Sequence, residues 1–105
     1  MKIEERFADG ELTLCLRGEL DHHAAKLIAH ELEGAVDKRL PSACVLDFGG
    51  VSFMDSSGIA VIIKARRRAD ELGASLRVVG VGRQPERVLT AAGLGRLVSI
   101  ETASE

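Results

Sequence analysis

The chain has 105 residues, with 14 basic and 16 acidic side chains. This length suits one domain with a modest core, so we expect a single domain over residues 1–105. The near balance of charge gives no long-range attraction to nucleic acid or membranes, and three phenylalanines without tryptophan or tyrosine argue against a base-stacking surface.

The N-terminus lacks the features of an export signal. Residues 1–6 include two acids and no apolar stretch. The longest apolar run, about residues 59–63, is far too short to cross a bilayer. Cys15 and Cys44 lie in apolar, strand-like segments, which is typical of free thiols in a reducing compartment. We therefore expect a cytoplasmic protein with no direct membrane insertion.

The first twenty residues predict a β-hairpin. Residues 2–7 predict a short strand, and residues 11–17 alternate leucines with other residues, which is the period of a half-buried strand. Asp9-Gly10 between them favours a tight turn. We predict that residues 18–21 form a loop ending in Asp21, whose carboxylate can cap the helix that follows.

Helices and strands alternate along the rest of the chain. The first helix has an apolar stripe at helical spacing and ends near Arg39, before Pro41. The remaining predicted elements are a strand over 43–48 that Gly49-Gly50 breaks, a helix that starts just after Asp55 and ends before Gly73, a strand over 76–81, a helix from Pro85 to Gly93 and a strand over 97–100. The order ββαβαβαβ predicts an α/β fold with a mixed, mostly parallel sheet, an antiparallel N-terminal hairpin at its edge and helices packed on it.

The three histidines do not predict a metal site. On a helix, the adjacent His22 and His23 diverge by about 100°, and His30 lies about two turns beyond His23. The cysteines lack the spacing of a metal site, and no phosphate-binding glycine motif is present, so we expect no metal and no cofactor. Ser56 does not stand in a G-x-S-x-G motif, so we expect no catalytic residues. A hydrolase that pairs Ser56 with His22 or His23 is the enzymatic alternative.

Three short polar residues, Asp55, Ser56 and Ser57, stand at the predicted start of the second helix. Helix capping is the simplest explanation for them, but one cap is enough. A serine hydroxyl at this position faces solvent, and a helix N-terminus can hold the roughly −1.5 to −2 charges of a phosphate. Glu19 and Asp21 are expected at the same rim of the sheet, because the connections that leave parallel strands cluster there. Phosphorylation would then repel an acidic partner surface.

Two segments, residues 18–25 (GELDHHAA) and residues 53–62 (FMDSSGIAVI), closely resemble the STAS (sulfate transporter and anti-sigma antagonist) family, in particular its sporulation-type anti-sigma-factor antagonists. Ala92-Gly93-Leu94 resembles the family's third-helix ending, so the resemblance covers nearly the whole chain. It implies a single STAS domain whose unphosphorylated form binds an anti-sigma factor that is also a serine kinase, which frees the sigma factor. The kinase binds the ATP, phosphorylates the antagonist and releases it, and a PP2C-type phosphatase resets the system.

The resemblance also implies residue roles. By motif match, Ser56 is the phosphate acceptor and Ser57 belongs to the helix cap, while Asp21 lies at the kinase interface. The predicted partner-binding residues are Glu19, Asp21, Asp55, Ser57 and Gly58. The alternative function is a STAS subunit that docks on the nucleotide-binding component of a transporter without a phosphorylation cycle. The serine at position 56 favours the phosphorylated antagonist.

Overall fold

A computed structural model describes residues 1–103 of the chain. The strands are β1 (Lys2–Ala8), β2 (Glu11–Leu20), β3 (Ala43–Met54), β4 (Ser75–Val81) and β5 (Ser99–Thr102), and the helices are α1 (His22–Arg39), α2 (Ser57–Glu71) and α3 (Arg83–Ala91). A 3₁₀ turn, Leu94–Arg96, precedes β5. The order of strands and α-helices confirms the predicted ββαβαβαβ arrangement.

The five strands form one sheet in the order β1-β2-β3-β4-β5. β1 and β2 are antiparallel, whereas every later pair of neighbours is parallel. The prediction of a mostly parallel sheet with an antiparallel hairpin at its edge is therefore confirmed.

The core lies between the sheet and the helices. α1 buries an aliphatic stripe of Ile28, Leu32 and Val36, and β2 buries the leucines that its alternation predicted. α1 ends where Leu40 adopts a left-handed conformation and its N–H bonds to the helix, one residue before Pro41. Along residues 1–103, no helix combines the length and apolar character that a bilayer crossing requires.

Both β2 and β3 are longer than predicted. They pair in parallel as far as Leu20 opposite Met54, with two register shifts on the way. The loop predicted over residues 18–21 is therefore wrong for residues 18–20 and leaves only Asp21 between β2 and α1. The predicted break at Gly49-Gly50 is wrong as well, because the strands continue to pair at Gly18 and Gly50. A Cβ at Gly50 would lie 2.8 Å from a backbone carbonyl oxygen of β2, so the close approach of the strands requires glycine there.

On the side that faces β4, β3 continues beyond the last residue pair between the two strands. Its pairing with β4 ends at Asp47 opposite Val79, and Gly80 then takes a φ of +67°, which turns β4 aside. Residues 48–54 of β3 therefore extend beyond the last β4 pairing. The final strand begins at Ser99 rather than at the predicted residue 97, because the N–H groups of Leu97 and Val98 bond back to the Leu94 carbonyl at the start of the 3₁₀ turn.

Candidate functional site

The carboxyl ends of β2 and β3 lie side by side, and each leads into a helix. Asp21 connects β2 to α1, and Asp55-Ser56 connect β3 to α2. The Asp55 N–H donates to the Leu20 carbonyl at 3.3 Å. The amino ends of α1 and α2 therefore begin next to each other at one edge of the sheet.

The Asp55 carboxylate is shared by both helices. Its Oδ1 accepts a hydrogen bond from the Ser57 N–H at 2.8 Å, and its Oδ2 accepts one from the His22 N–H at 3.2 Å. One negative charge thus lies at the positive ends of two helix dipoles, which is a favourable arrangement. The carboxylate also fixes the start of α2 relative to the start of α1.

Asp21 caps α1, as the sequence predicted. Its Oδ1 accepts from the N–H groups of His23 at 3.1 Å and Ala24 at 3.0 Å. The Ala24 hydrogen bond is the main reason that the pKa of Asp21 lies below its ordinary value of 3.8; partial desolvation opposes this effect, and the His23 hydrogen bond adds to it.

Ser56 is exposed, and its hydroxyl caps nothing. It occupies the N-cap position of α2 with helical backbone angles, φ −62° and ψ −18°, and makes no side-chain capping bond. The acceptor for the first turn is instead the neighbouring Asp55. Ser57 is the first residue of α2, and it takes part in the cap through its backbone N–H rather than its hydroxyl.

Gly58 is buried where α2 crosses the ends of the two strands. A Cβ at this position would lie 2.5 Å from the Met54 Sδ and 3.1 Å from the Leu20 Cδ2. Glycine therefore allows α2 to start close to the sheet. Gly58 itself offers little accessible surface.

Surfaces of different charge flank the 53–58 segment. An open depression on one side is lined by residues that include Glu19, Asp21, His23 and Ser52. A groove between α1 and α2 on the other side is lined by residues that include His22, Lys26, Ser57 and Lys64. Phe53, which pairs with Glu19 across the strands, is 41% exposed and adds an apolar surface close to Ser56.

Sequence reasoning missed Gln84, in the first turn of α3. Its Oε1 accepts from the Met54 N–H and its Nε2 donates to the Met54 carbonyl, both at 2.8 Å. The contact joins residues 30 positions apart, and no local pattern marks it. Lys26 and Lys64 were missed for the same reason, since only the packing of α1 on α2 brings them to one groove.

The histidine rings lie near carboxylates. The His22 Nδ1 is 3.9 Å from the Asp55 Oδ2, and the His23 Nδ1 is 3.9 Å from the Asp21 Oδ2. A serine hydrolase would need such a ring hydrogen-bonded to the Ser56 hydroxyl, and no such bond is present among the described residues. Over the same part of the chain, no group of three His, Cys, Asp or Glu side chains is arranged to hold a metal ion.

Known proteins are similar to this chain in sequence and in fold. Residues 2–105 match the STAS domain family model. The chain is 31% identical over 100 residues to the anti-sigma F factor antagonist of Paenibacillus polymyxa, an alignment that covers 95% of this chain and 86% of that protein. The structure of the anti-sigma factor antagonist SpoIIAA in its unphosphorylated form is similar with a TM-score of 0.80 and 24% identity, covering 96% of this chain and 89% of that one. The phosphorylated form of SpoIIAA, the Bacillus cell fate determinant, is similar with a TM-score of 0.71 and 24% identity, covering 96% and 92%.

Proposed function

Since the chain belongs to the STAS domain family, we propose that it is a cytoplasmic anti-sigma factor antagonist switched by phosphorylation of Ser56. The unphosphorylated chain binds an anti-sigma factor with serine-kinase activity and thereby releases a sigma factor. That partner uses its own bound ATP to phosphorylate Ser56, which ends the complex, and a PP2C-type phosphatase removes the phosphate. The chain acts by binding and not as an enzyme.

The free hydroxyl of Ser56 is the observation that carries this proposal. A serine at a helix N-terminus is usually explained as a cap. Here the cap of α2 is the Asp55 carboxylate, and the Ser56 hydroxyl is exposed without a capping bond. The fold therefore does not need this hydroxyl, and a kinase can reach it.

The fold is also compatible with a phosphate at this position. The start of α2 presents backbone N–H groups and the positive end of the helix dipole, which stabilise an added anion. SpoIIAA, whose fold is similar, has been described in both unphosphorylated and phosphorylated forms. Modification of Ser56 is therefore expected to change the surface while the domain stays folded.

The change in surface charge explains how a phosphate would end binding. Two lysines, Lys26 and Lys64, line the groove next to the first residue of α2, and the acids Glu19 and Asp21 line the depression on the other side. A phosphate adds about −1.5 to −2 charges, which nearly cancels the combined positive charge of the two lysines. An acidic partner surface is then repelled, at a cost of several kcal/mol, and about 1.4 kcal/mol corresponds to tenfold in affinity.

The first test is phosphate transfer followed by intact-mass measurement. The chain is incubated with ATP and the anti-sigma kinase encoded by a neighbouring gene. We expect one phosphate on the wild type and on Ser57→Ala, and none on Ser56→Ala. Ser57→Ala is the matched control, since it removes the adjacent hydroxyl. Transfer to Ser57 instead, or no transfer at all, contradicts the proposal, and the transporter alternative predicts no transfer.

Binding of the variants to the same kinase tests the electrostatic mechanism. Ser56→Ala should bind as the wild type does, because the hydroxyl has no partner to lose. Ser56→Asp should bind at least about tenfold more weakly, although its charge is only about half that of phosphoserine. Equal affinity of the wild type and Ser56→Asp would show that charge repulsion is not the mechanism.

A further inference from the structure

Near its carboxyl end, β3 pairs with a neighbouring strand on one side only. β3 pairs with β2 up to Met54, but its last pair with β4 is at Asp47. Successive residues of a strand direct their N–H and C=O groups to opposite sides. The Asp55 N–H points to β2, where it bonds to Leu20. The N–H and C=O of Met54 therefore both point to the opposite side, where β4 no longer pairs with β3.

Gln84 replaces the missing strand at this position. It accepts from the Met54 N–H and donates to the Met54 C=O, both at 2.8 Å. A primary amide has one acceptor oxygen and one donor nitrogen side by side, so it can pair with a peptide unit in the way that a strand does. Met54 is 0% exposed, so water cannot easily take over these bonds. Pro85, the next residue, is buried and anchors the first turn of α3.

We propose that Gln84 is the positioning residue for Ser56, holding the end of β3 where the acceptor hydroxyl is presented to the kinase. The inference rests on the proposed phosphorylation of Ser56. Only Asp55 separates the clamped Met54 from Ser56, so a shift of the Met54 peptide moves the hydroxyl directly. Phosphoryl transfer depends on the alignment of the attacking oxygen, and a displacement of about 1 Å can cost on the order of a hundredfold in rate.

The test compares Gln84→Ala and Gln84→Glu with the wild type. Glu has nearly the same shape as Gln, but its carboxylate accepts from the Met54 N–H and cannot donate to the Met54 C=O. Gln84→Glu therefore removes half of the clamp without creating a cavity. Arg87→Ala, an exposed position on the same helix, is the matched control.

Two measurements are made on each variant. Amide hydrogen exchange at Met54 reports the clamp in the chain alone, and steady-state kinetics of Ser56 phosphorylation report presentation of the hydroxyl. For Gln84→Ala we expect faster exchange at Met54, whereas in Gln84→Glu the Met54 N–H keeps its acceptor. For both variants we expect a kcat lower by about tenfold or more, with KM for the chain changed less than threefold, because the docking surface is retained. Arg87→Ala should match the wild type in both measurements.

The outcomes separate this inference from the function on which it rests. Faster exchange with unchanged kcat in Gln84→Ala, or an unchanged kcat in Gln84→Glu, overturns the positioning role while leaving Ser56 as the acceptor. A rise in KM alone also overturns it, since that result assigns Gln84 to docking. If wild-type Ser56 takes up no phosphate, the proposed function fails, and the positioning role fails with it. Should Gln84→Ala unfold, Gln84→Glu alone decides the matter.

Discussion

Removal of the Asp55 carboxylate should destabilise the starts of two helices at once. In Asp55→Ala the N–H groups of Ser57 and His22 lose their acceptor. Loss of a capping side chain costs about 1 kcal/mol, within a range of about 0.5–2 kcal/mol. The cost at α1 is smaller than at α2, because Asp21 still caps α1. We therefore expect the free energy of unfolding to fall by between about 1 and 2 kcal/mol, or about 5–10 °C in Tm for a domain of this size.

Asp55→Asn should lie between the wild type and Asp55→Ala. Asn caps a helix as well as Asp does, but its single oxygen can accept from only one side, so its amide nitrogen faces the N–H of Ser57 or of His22. We expect a loss of about 1 kcal/mol, made up of one hydrogen bond and the charge at the helix ends.

Urea unfolding followed by circular dichroism measures these differences, with an unchanged m-value as the check that only stability has altered. Asp70→Asn is the control, because its exposed ion pair with Arg66 should contribute less than about 0.5 kcal/mol. If Asp55→Ala unfolded within about 0.5 kcal/mol of the wild type, the Asp55 carboxylate would not be the cap that leaves the Ser56 hydroxyl free.

Two further predictions concern the same edge of the sheet. Gly58→Ala should lower the free energy of unfolding by about 1 kcal/mol in a thermal melt, since the collision with Met54 costs about 1–3 kcal/mol and the gain in helix propensity returns about 1. Gly34→Ala on α1, which meets nothing within 4 Å, should instead be neutral or stabilising, and the same sign at both positions would argue against the close contact at Gly58. For Asp21 the lowered pKa predicts a stabilisation that is complete above 3.8 and is lost as the pH falls through the lower pKa of the folded state. The Tm difference between the wild type and Asp21→Asn should therefore shrink below that pH, and a difference that grew on acidification would contradict the direction of the shift.

Local patterns predicted most of the secondary structure. The alternating leucines of β2, the apolar stripe and cap of α1, and the glycine that follows α2 act within a few residues, so the sequence carries them directly. The two larger errors occurred where a neighbouring strand overrides local preference. Gly49-Gly50 breaks an isolated strand, yet β3 continues to Met54 because β2 satisfies its hydrogen bonds through a register shift. The same tertiary pairing extends β2 to Leu20.

In the candidate site, too, local features were predictable and contacts between distant residues were not. The sequence is enough to predict short polar residues at the start of a helix, and family resemblance singled out Ser56 among them. Which side chain caps that helix depends on the fold, because the Asp55 carboxylate accepts hydrogen bonds from two helix amino termini that meet at the sheet edge. The fold also brings Gln84 to the end of β3, where its amide pairs with backbone groups that have no strand partner. Contacts of this kind join residues 30 or more positions apart, and a pattern read along the chain carries no signal for them.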